Sequence, residues 1–131
     1  MTQEQLEARR AEWEALVRTW WERLMGPAGA GWQVIVNLAQ PLERGGDFAQ
    51  CIHNWKYRQV TFRFFAESAP SSVTACHEVL HVAFSRVDGA LCRIMDALPG
   101  SCEDLARQTL LDAEEEMVET MAQAPTRAFG E

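Results

Sequence analysis

The chain has 131 residues, a formal net charge of −7 and a hydrophobic fraction of 47%, a balance that predicts one domain over residues 1–131 with a single core. The acidic excess repels phosphate backbones, which excludes nucleic acid as an expected partner. No run of about 18 apolar residues occurs, so no contact with a membrane is expected. The first residues lack the basic start and apolar run of a signal peptide, so we expect a cytoplasmic protein.

The four cysteines, Cys51, Cys76, Cys92 and Cys102, form no C-x-x-C pair. This spacing argues against a zinc knuckle built from thiolates. Scattered cysteines without a secretion signal predict free thiols in a reducing compartment. A single bridge between Cys92 and Cys102 is the alternative.

The first predicted element is a helix that Thr2 caps, with Gln5 three positions later as in a capping box. Gly26-Pro27 ends it, because proline cannot continue a helix. The adjacent Trp20 and Trp21 could form a platform for a ligand, but core packing is the better interpretation. Apolar residues at helical spacing form one face of this helix: Leu6, Trp13, Val17, Trp20 and Leu24.

Three strands follow the first helix. Trp32 to Leu38 alternates between apolar and polar residues, which is typical of a strand with one buried face. A loop with Pro41 and Gly45-Gly46 comes next. The sequence then predicts two strands joined by a tight turn, Ala49 to Trp55 and Arg58 to Phe65.

The remainder of the chain is predicted to be helical. Ser71 or Ser72 caps a second helix that reaches about Val87. Asp88 to Gly100 reads as a connector, with room for a short helix near Leu91 to Leu98, and Pro99-Gly100 is a stop signal. A final helix begins after the cap Ser101 and runs to about Gln123, and a short frayed tail is expected from Ala124. The element order predicts an α+β fold in which a small sheet packs on helices.

The second helix carries the motif His77-Glu78-Val79-Leu80-His81, which holds two of the three histidines. Residues four apart lie on one helix face, so both imidazoles can bind one zinc ion with tetrahedral geometry. Glu78 is offset around the helix and can act as general base toward a water molecule. The alternative is a helix with two partly buried histidines that bind nothing.

A catalytic zinc site needs a third protein ligand, and the last helix offers several glutamates. Glu114 lies in the middle of the apolar stripe of this helix, Glu115 lies at its edge, and Glu116 points toward solvent. A ligand must face the partner helix, so Glu114 and Glu115 both remain candidates. A buried carboxylate there would be costly without a cation.

The motif and the segment Glu115 to Glu119 resemble those of the small zincin-like metallopeptidases of bacteria and their phages, of the gluzincin kind. The resemblance covers residues 32 to 122 at the level of element order. It implies a minimal zincin-like domain, a zinc cofactor and peptide hydrolysis. In this family the ligand glutamate is often followed four residues later by a group that supports a motif histidine. The resemblance therefore implies that Glu115 is the third ligand and Glu119 its supporting group, with Glu114 in reserve.

Larger members of the family place a histidine or tyrosine after the third ligand to stabilise the oxyanion. No histidine or tyrosine follows His81 in this chain. The oxyanion donor is therefore expected elsewhere, with His53, Tyr57 and Arg63 as candidates.

Zincins often bind an extended peptide against an edge strand, and the strand Arg58 to Phe65 is the expected edge. The expected substrate is a peptide or a flexible protein segment, because a chain of this size has no second lobe. Exposed tryptophans on the first helix would allow a homodimer as well as a monomer. Two other functions stay open: a zinc-stabilised binding protein without turnover, and a phage or prophage interaction module without metal.

Overall fold

A computed structural model describes residues 1–39 and 49–128, apart from the side chains at 86–88, 101, 103 and 124–128. Helices and a three-stranded sheet confirm the predicted α+β fold. The predicted loop with Pro41 and Gly45-Gly46 lies outside the described residues. In chain order the elements are α1 (Gln3–Met25), a short 3-10 helix (Gly26–Gly29), β1 (Gln33–Ala39), β2 (Ala49–Asn54), β3 (Gln59–Phe65), α2 (Ser72–Asp96) and α3 (Gly100–Ala128).

Helix α1 begins as the sequence predicts. The hydroxyl of Thr2 accepts a hydrogen bond from the backbone N–H of Gln5, and the Gln5 side chain accepts one from the backbone of Thr2. Trp20 and Trp21 are buried, which confirms their interpretation as core residues. Trp13 is buried as well. The expectation that α1 exposes tryptophans through which a homodimer could form is therefore wrong.

The sheet has the strand order β1-β3-β2. β1 runs parallel to β3, and β2 runs antiparallel to it. The expectation that Arg58 to Phe65 forms an edge strand is therefore wrong, because β3 is hydrogen-bonded on both sides. The edge that lies beside α2 is β2 instead, and its outer backbone groups are the ones available for pairing.

The two faces of the sheet differ in their burial. Val60, Phe62 and Phe64 of β3 are at most 1% exposed and point toward the helices. Cys51 lies opposite Phe62 and His53 lies opposite Val60 in the register of β2 with β3. Since partners in a register point to the same face, Cys51 and His53 also face the helices.

Helix α2 is longer than the sequence predicts. Ser71 caps it by accepting a hydrogen bond from the backbone N–H of Thr74. The helix then continues through Gly89 to Asp96, so the predicted end near Val87 and the connector after it are wrong. A single glycine costs a helix about 1 kcal/mol relative to alanine, which neighbouring helix-forming residues can offset.

Helix α3 is also longer than predicted and continues past Gln123 to Ala128. Only a short connection separates α2 from α3, so the two helices lie antiparallel as neighbours. Val118 and Ala122 of α3 are fully buried. Arg107 of α3 forms an ion pair with Asp96 near the end of α2. This packing places the glutamates of α3 opposite the histidines of α2.

Among the described residues, no helix combines the length and the apolar character that crossing a membrane requires.

The core depends on a stack between α1 and the sheet, which can be tested by substitution. The rings of Trp13 and Phe64 are parallel with centroids 3.9 Å apart, and both are buried. We expect Trp13→Ala to lower the free energy of unfolding by about 3–5 kcal/mol, because it leaves a large cavity. Tyr57→Ala, at a side chain that is 63% exposed, should change it by no more than about 0.5 kcal/mol. Urea denaturation measures both, and equal effects would contradict the packing described.

Candidate metal centre

Both motif histidines lie on α2, one helical turn apart, on the side that faces α3. Their side chains are 16% and 18% exposed, so neither is a freely hydrated surface group. Nε2 of His77 and Nε2 of His81 are 3.1 Å apart. The helix therefore aims the two nitrogens at a common point, as the spacing of the motif predicts.

Glu115 of α3 completes the group. Its carboxylate oxygens lie 2.9 Å from Nε2 of His81 and 3.5 Å from Nε2 of His77. Ligands placed tetrahedrally at zinc distances of 2.0–2.1 Å are separated from each other by about 3.3 Å. The observed separations are close to this value, and the three side chains could hold a metal ion.

The other two glutamates that face α2 contact the outer nitrogens of the imidazoles. Nδ1 of His77 lies 2.7 Å from Oε2 of Glu119, and Nδ1 of His81 lies 3.3 Å from Oε1 of Glu114. The Glu119 contact is the one that the family resemblance implies. Glu114 is not part of the group that could hold a metal ion, and it contacts the outer nitrogen of His81 instead.

The contact of Glu114 with His81 was missed by sequence reasoning. The side chain of Glu114 is only 11% exposed, whereas that of Glu115 is 61% exposed. The signal was present in the sequence, because Glu114 lies in the middle of the apolar stripe of α3. A carboxylate in such a position needs a hydrogen-bond donor, and an imidazole N–H is one.

These contacts favour one tautomer of the two rings. An ionised carboxylate only accepts hydrogen bonds, so an imidazole whose Nδ1–H donates to Glu119 or Glu114 has the lone pair of its Nε2 free for a metal ion. In that tautomer Nε2 of His77, Nε2 of His81 and the carboxylate of Glu115 have the donor chemistry of a metal site.

Glu78 lies in the same cavity as this group. It is 8% exposed, the one buried charged side chain among the described residues. The cavity has a volume of about 620 Å³ and opens between β2, α2 and α3. Its described lining includes four glutamates and no lysine or arginine, a charge distribution that attracts cations. The glutamates are Glu78, Glu114, Glu115 and Glu119.

Cys51 of β2 also lines the cavity. Burial, the charge of Glu78 and, to a smaller extent, the charges of Glu114 and Glu115 together raise the pKa of its thiol to about 12. The sequence indicated only a free thiol at this position. All four cysteines are free in the structure.

Of the three predicted oxyanion donors, His53 is the one that lines the cavity. β2 packs beside α2, and the indole of Trp55, just after this strand, donates to the hydroxyl of Ser85 in α2. His53 lines the same cavity as His81.

The other two candidates lie elsewhere. Tyr57 is 63% exposed in the turn between β2 and β3. Arg63 alternates with the buried Phe62 and Phe64, so it points to the sheet face away from the helices. Neither residue is part of the cavity lining.

Comparison of the chain with models of protein families, with curated proteins and with solved structures finds no match. The case for a metal centre therefore depends on the geometry of the side chains themselves.

Substitution of the ligand group should remove the metal. We expect His77→Ala and Glu115→Ala to lose bound zinc, because two remaining ligands hold it weakly. Glu116→Ala is the matched control, since it removes an exposed glutamate next to Glu115 and should keep the metal. Glu119→Gln should weaken zinc binding by about 10–100-fold, because it alters the support of His77. Competition with a chromogenic chelator measures all four, and equal affinities for Glu115→Ala and Glu116→Ala would contradict the assignment.

Proposed function

We propose that the protein is a zinc-dependent metallopeptidase of the gluzincin kind. The observation that carries the proposal is the convergence of Nε2 of His77, Nε2 of His81 and the carboxylate of Glu115, beside the buried carboxylate of Glu78. In this assignment His77, His81 and Glu115 hold the metal, and Glu78 is the general base. Two imidazoles and a carboxylate, with a position left open, form the ligand set of catalytic zinc.

The three glutamates Glu78, Glu114 and Glu119 would have different roles in hydrolysis. A zinc ion bound there would lower the pKa of a coordinated water and polarise the substrate carbonyl. Glu78 takes the proton of the attacking water and passes it to the leaving amine. Glu119 and Glu114 keep the two imidazole rings in orientation and in the tautomer that leaves Nε2 free to bind.

The substrate is expected to bind along β2. Among the described strands β2 pairs on one side only, and it forms one wall of the cavity, so its outer side is the expected place for an extended peptide to pair. Pairing of this kind selects flexible or unfolded segments, because only they can adopt a strand conformation against the edge. We therefore assign the substrate to peptides or flexible protein segments.

His53 is the proposed oxyanion donor. It lines the cavity from β2, whereas Tyr57 and Arg63 are not among the lining residues. An imidazole N–H aimed at the developing negative charge on the carbonyl oxygen would stabilise the transition state.

A second candidate function is a zinc-stabilised binding protein that does not turn over substrate. The packing of α3 favours it: within the part of the chain that the structure describes, the fully buried side chains of this helix are Val118 and Ala122. A metal shared by His77, His81 and Glu115 would join α3 to α2 and contribute to stability through binding.

Glu78→Gln separates the two functions. We expect this variant to keep about one zinc per chain, because Glu78 is not a ligand, and to lose at least about 10²–10⁴-fold in kcat, because the base is gone. Cleavage is measured on a library of unstructured peptides by mass spectrometry, with zinc content determined on the same samples. Zinc-loaded native protein that cleaves no peptide would contradict the peptidase and favour the binding protein.

Substitution of the three oxyanion candidates ranks them. His53→Ala should lower kcat by about 10²–10³-fold with zinc retained, as is typical when an oxyanion donor is lost. Tyr57→Phe and Arg63→Gln are the controls and should leave kcat within about twofold of the native value. A loss of activity in Tyr57→Phe, with His53→Ala unaffected, would overturn the assignment of His53.

A further inference from the structure

The candidate site is more acidic than a zinc ion alone requires. Zinc carries two positive charges, and Glu115 as a ligand would neutralise one of them. The cavity contains three further carboxylates, those of Glu78, Glu114 and Glu119. With zinc bound and the histidines neutral, the described lining keeps a formal charge of −2, because its four carboxylates outnumber the charges of the ion.

The basic side chains that the structure describes lie away from this cavity. Arg18 pairs with Glu14 on α1, and Arg107 of α3 pairs with Asp96 near the end of α2. Within the described lining of the cavity, no lysine or arginine stands against the carboxylates. A cationic group from solution would therefore meet attraction at this site without a competing cation of the lining.

A peptide paired with β2 would bring its side chains to these carboxylates. It would extend the sheet by one strand, and alternate side chains of that strand would point toward the helices, as Cys51 and His53 do in β2. The side chain of Glu119 in the cavity is 54% exposed, so a ligand can reach it from solvent. One residue of any adjacent pair in the peptide would then face the acidic wall.

We propose that the site selects cationic peptide segments, which carry lysine or arginine beside the bond to be cleaved. The inference rests on the proposed function and names the substrate class of that site. A cleft lined by one sign of charge raises the local concentration of ligands of the opposite sign and speeds their association by about 10–10³-fold. The same carboxylates repel an acidic peptide.

Three peptides that differ only in one adjacent pair of residues test this selection. The pair is two lysines, two glutamines or two glutamates, and the peptide ends are acetylated and amidated so that only side chains carry charge. We expect zinc-loaded native protein to favour the lysine peptide over the glutamine peptide by at least about tenfold in kcat/KM, with the glutamate peptide last. In about 1 M salt the ratio should fall to within about threefold, because salt screens exposed charges. Equal kcat/KM for the three peptides would overturn the inference and leave the peptidase standing.

The same peptides separate this inference from the proposed function. If the protein cleaves none of them, the dissociation constant of each is measured on the same zinc-loaded protein by fluorescence anisotropy. Binding of the lysine peptide that is at least about tenfold tighter, and that loses this advantage in high salt, would support cationic selection although the peptidase fails. Equal binding of the three peptides, or no binding at all, would overturn the inference.

A charge added to the cavity wall tests whether this cavity is the source of the selection. Gln50 lines the cavity from β2, and we expect Gln50→Lys to lower the preference for the lysine peptide over the glutamate peptide by at least about fivefold. Gln33→Lys is the matched control, since it makes the same change at an exposed position of β1 outside the cavity. It should leave the preference within about twofold of native, because distant exposed charges are screened. The same preference in both variants would overturn the assignment to this cavity.

Discussion

The account depends on one geometric constraint: two imidazole nitrogens and a carboxylate are held close together between α2 and α3. The two Nε2 atoms and the oxygens of Glu115 lie 2.9–3.5 Å apart. Glu119 and Glu114 contact the Nδ1 atoms of His77 and His81 and accept hydrogen bonds from them in the tautomer that leaves Nε2 free. The three inner groups could hold a metal ion, and the cavity lies beside them.

Three elements bring these side chains together. A single turn of α2 supplies both imidazoles and the buried Glu78. The short connection to α3 makes the two helices antiparallel neighbours, so that successive turns of α3 bring three glutamates to the two rings. β2 closes the third side of the cavity. β1 forms the other edge of the sheet, so β2 is the edge strand that lies beside the candidate ligands.

Local pattern was enough to predict much of this arrangement. The periodicity around His77 to His81 indicated the helix and the shared face. The alternation in Gln59 to Phe65 indicated β3 and its buried side. Both features depend on neighbours within a few residues, which a sequence displays directly. The contact of Glu119 with a histidine was implied only by the family resemblance.

Other features depend on contacts between distant residues and could not be read in this way. The central position of β3 arises from its parallel pairing with β1, a register that no local pattern encodes. The continuation of α2 through Gly89 reflects the helix-forming residues on both sides, which outweigh one unfavourable position. The contact of Glu114 with His81 appears only once α3 is placed against α2, because the two residues are far apart in the chain.

X-ray absorption at the zinc edge tests the central claim most directly, because it reports the atoms bound to the metal in solution. The account predicts that protein loaded with one zinc equivalent shows imidazole scattering from two histidines and oxygen ligands at about 2.0–2.2 Å. It predicts no sulfur ligand, since the group that could hold the ion consists of His77, His81 and Glu115. A zinc–sulfur distance of about 2.3 Å, or a spectrum of hydrated zinc without imidazole, would contradict it.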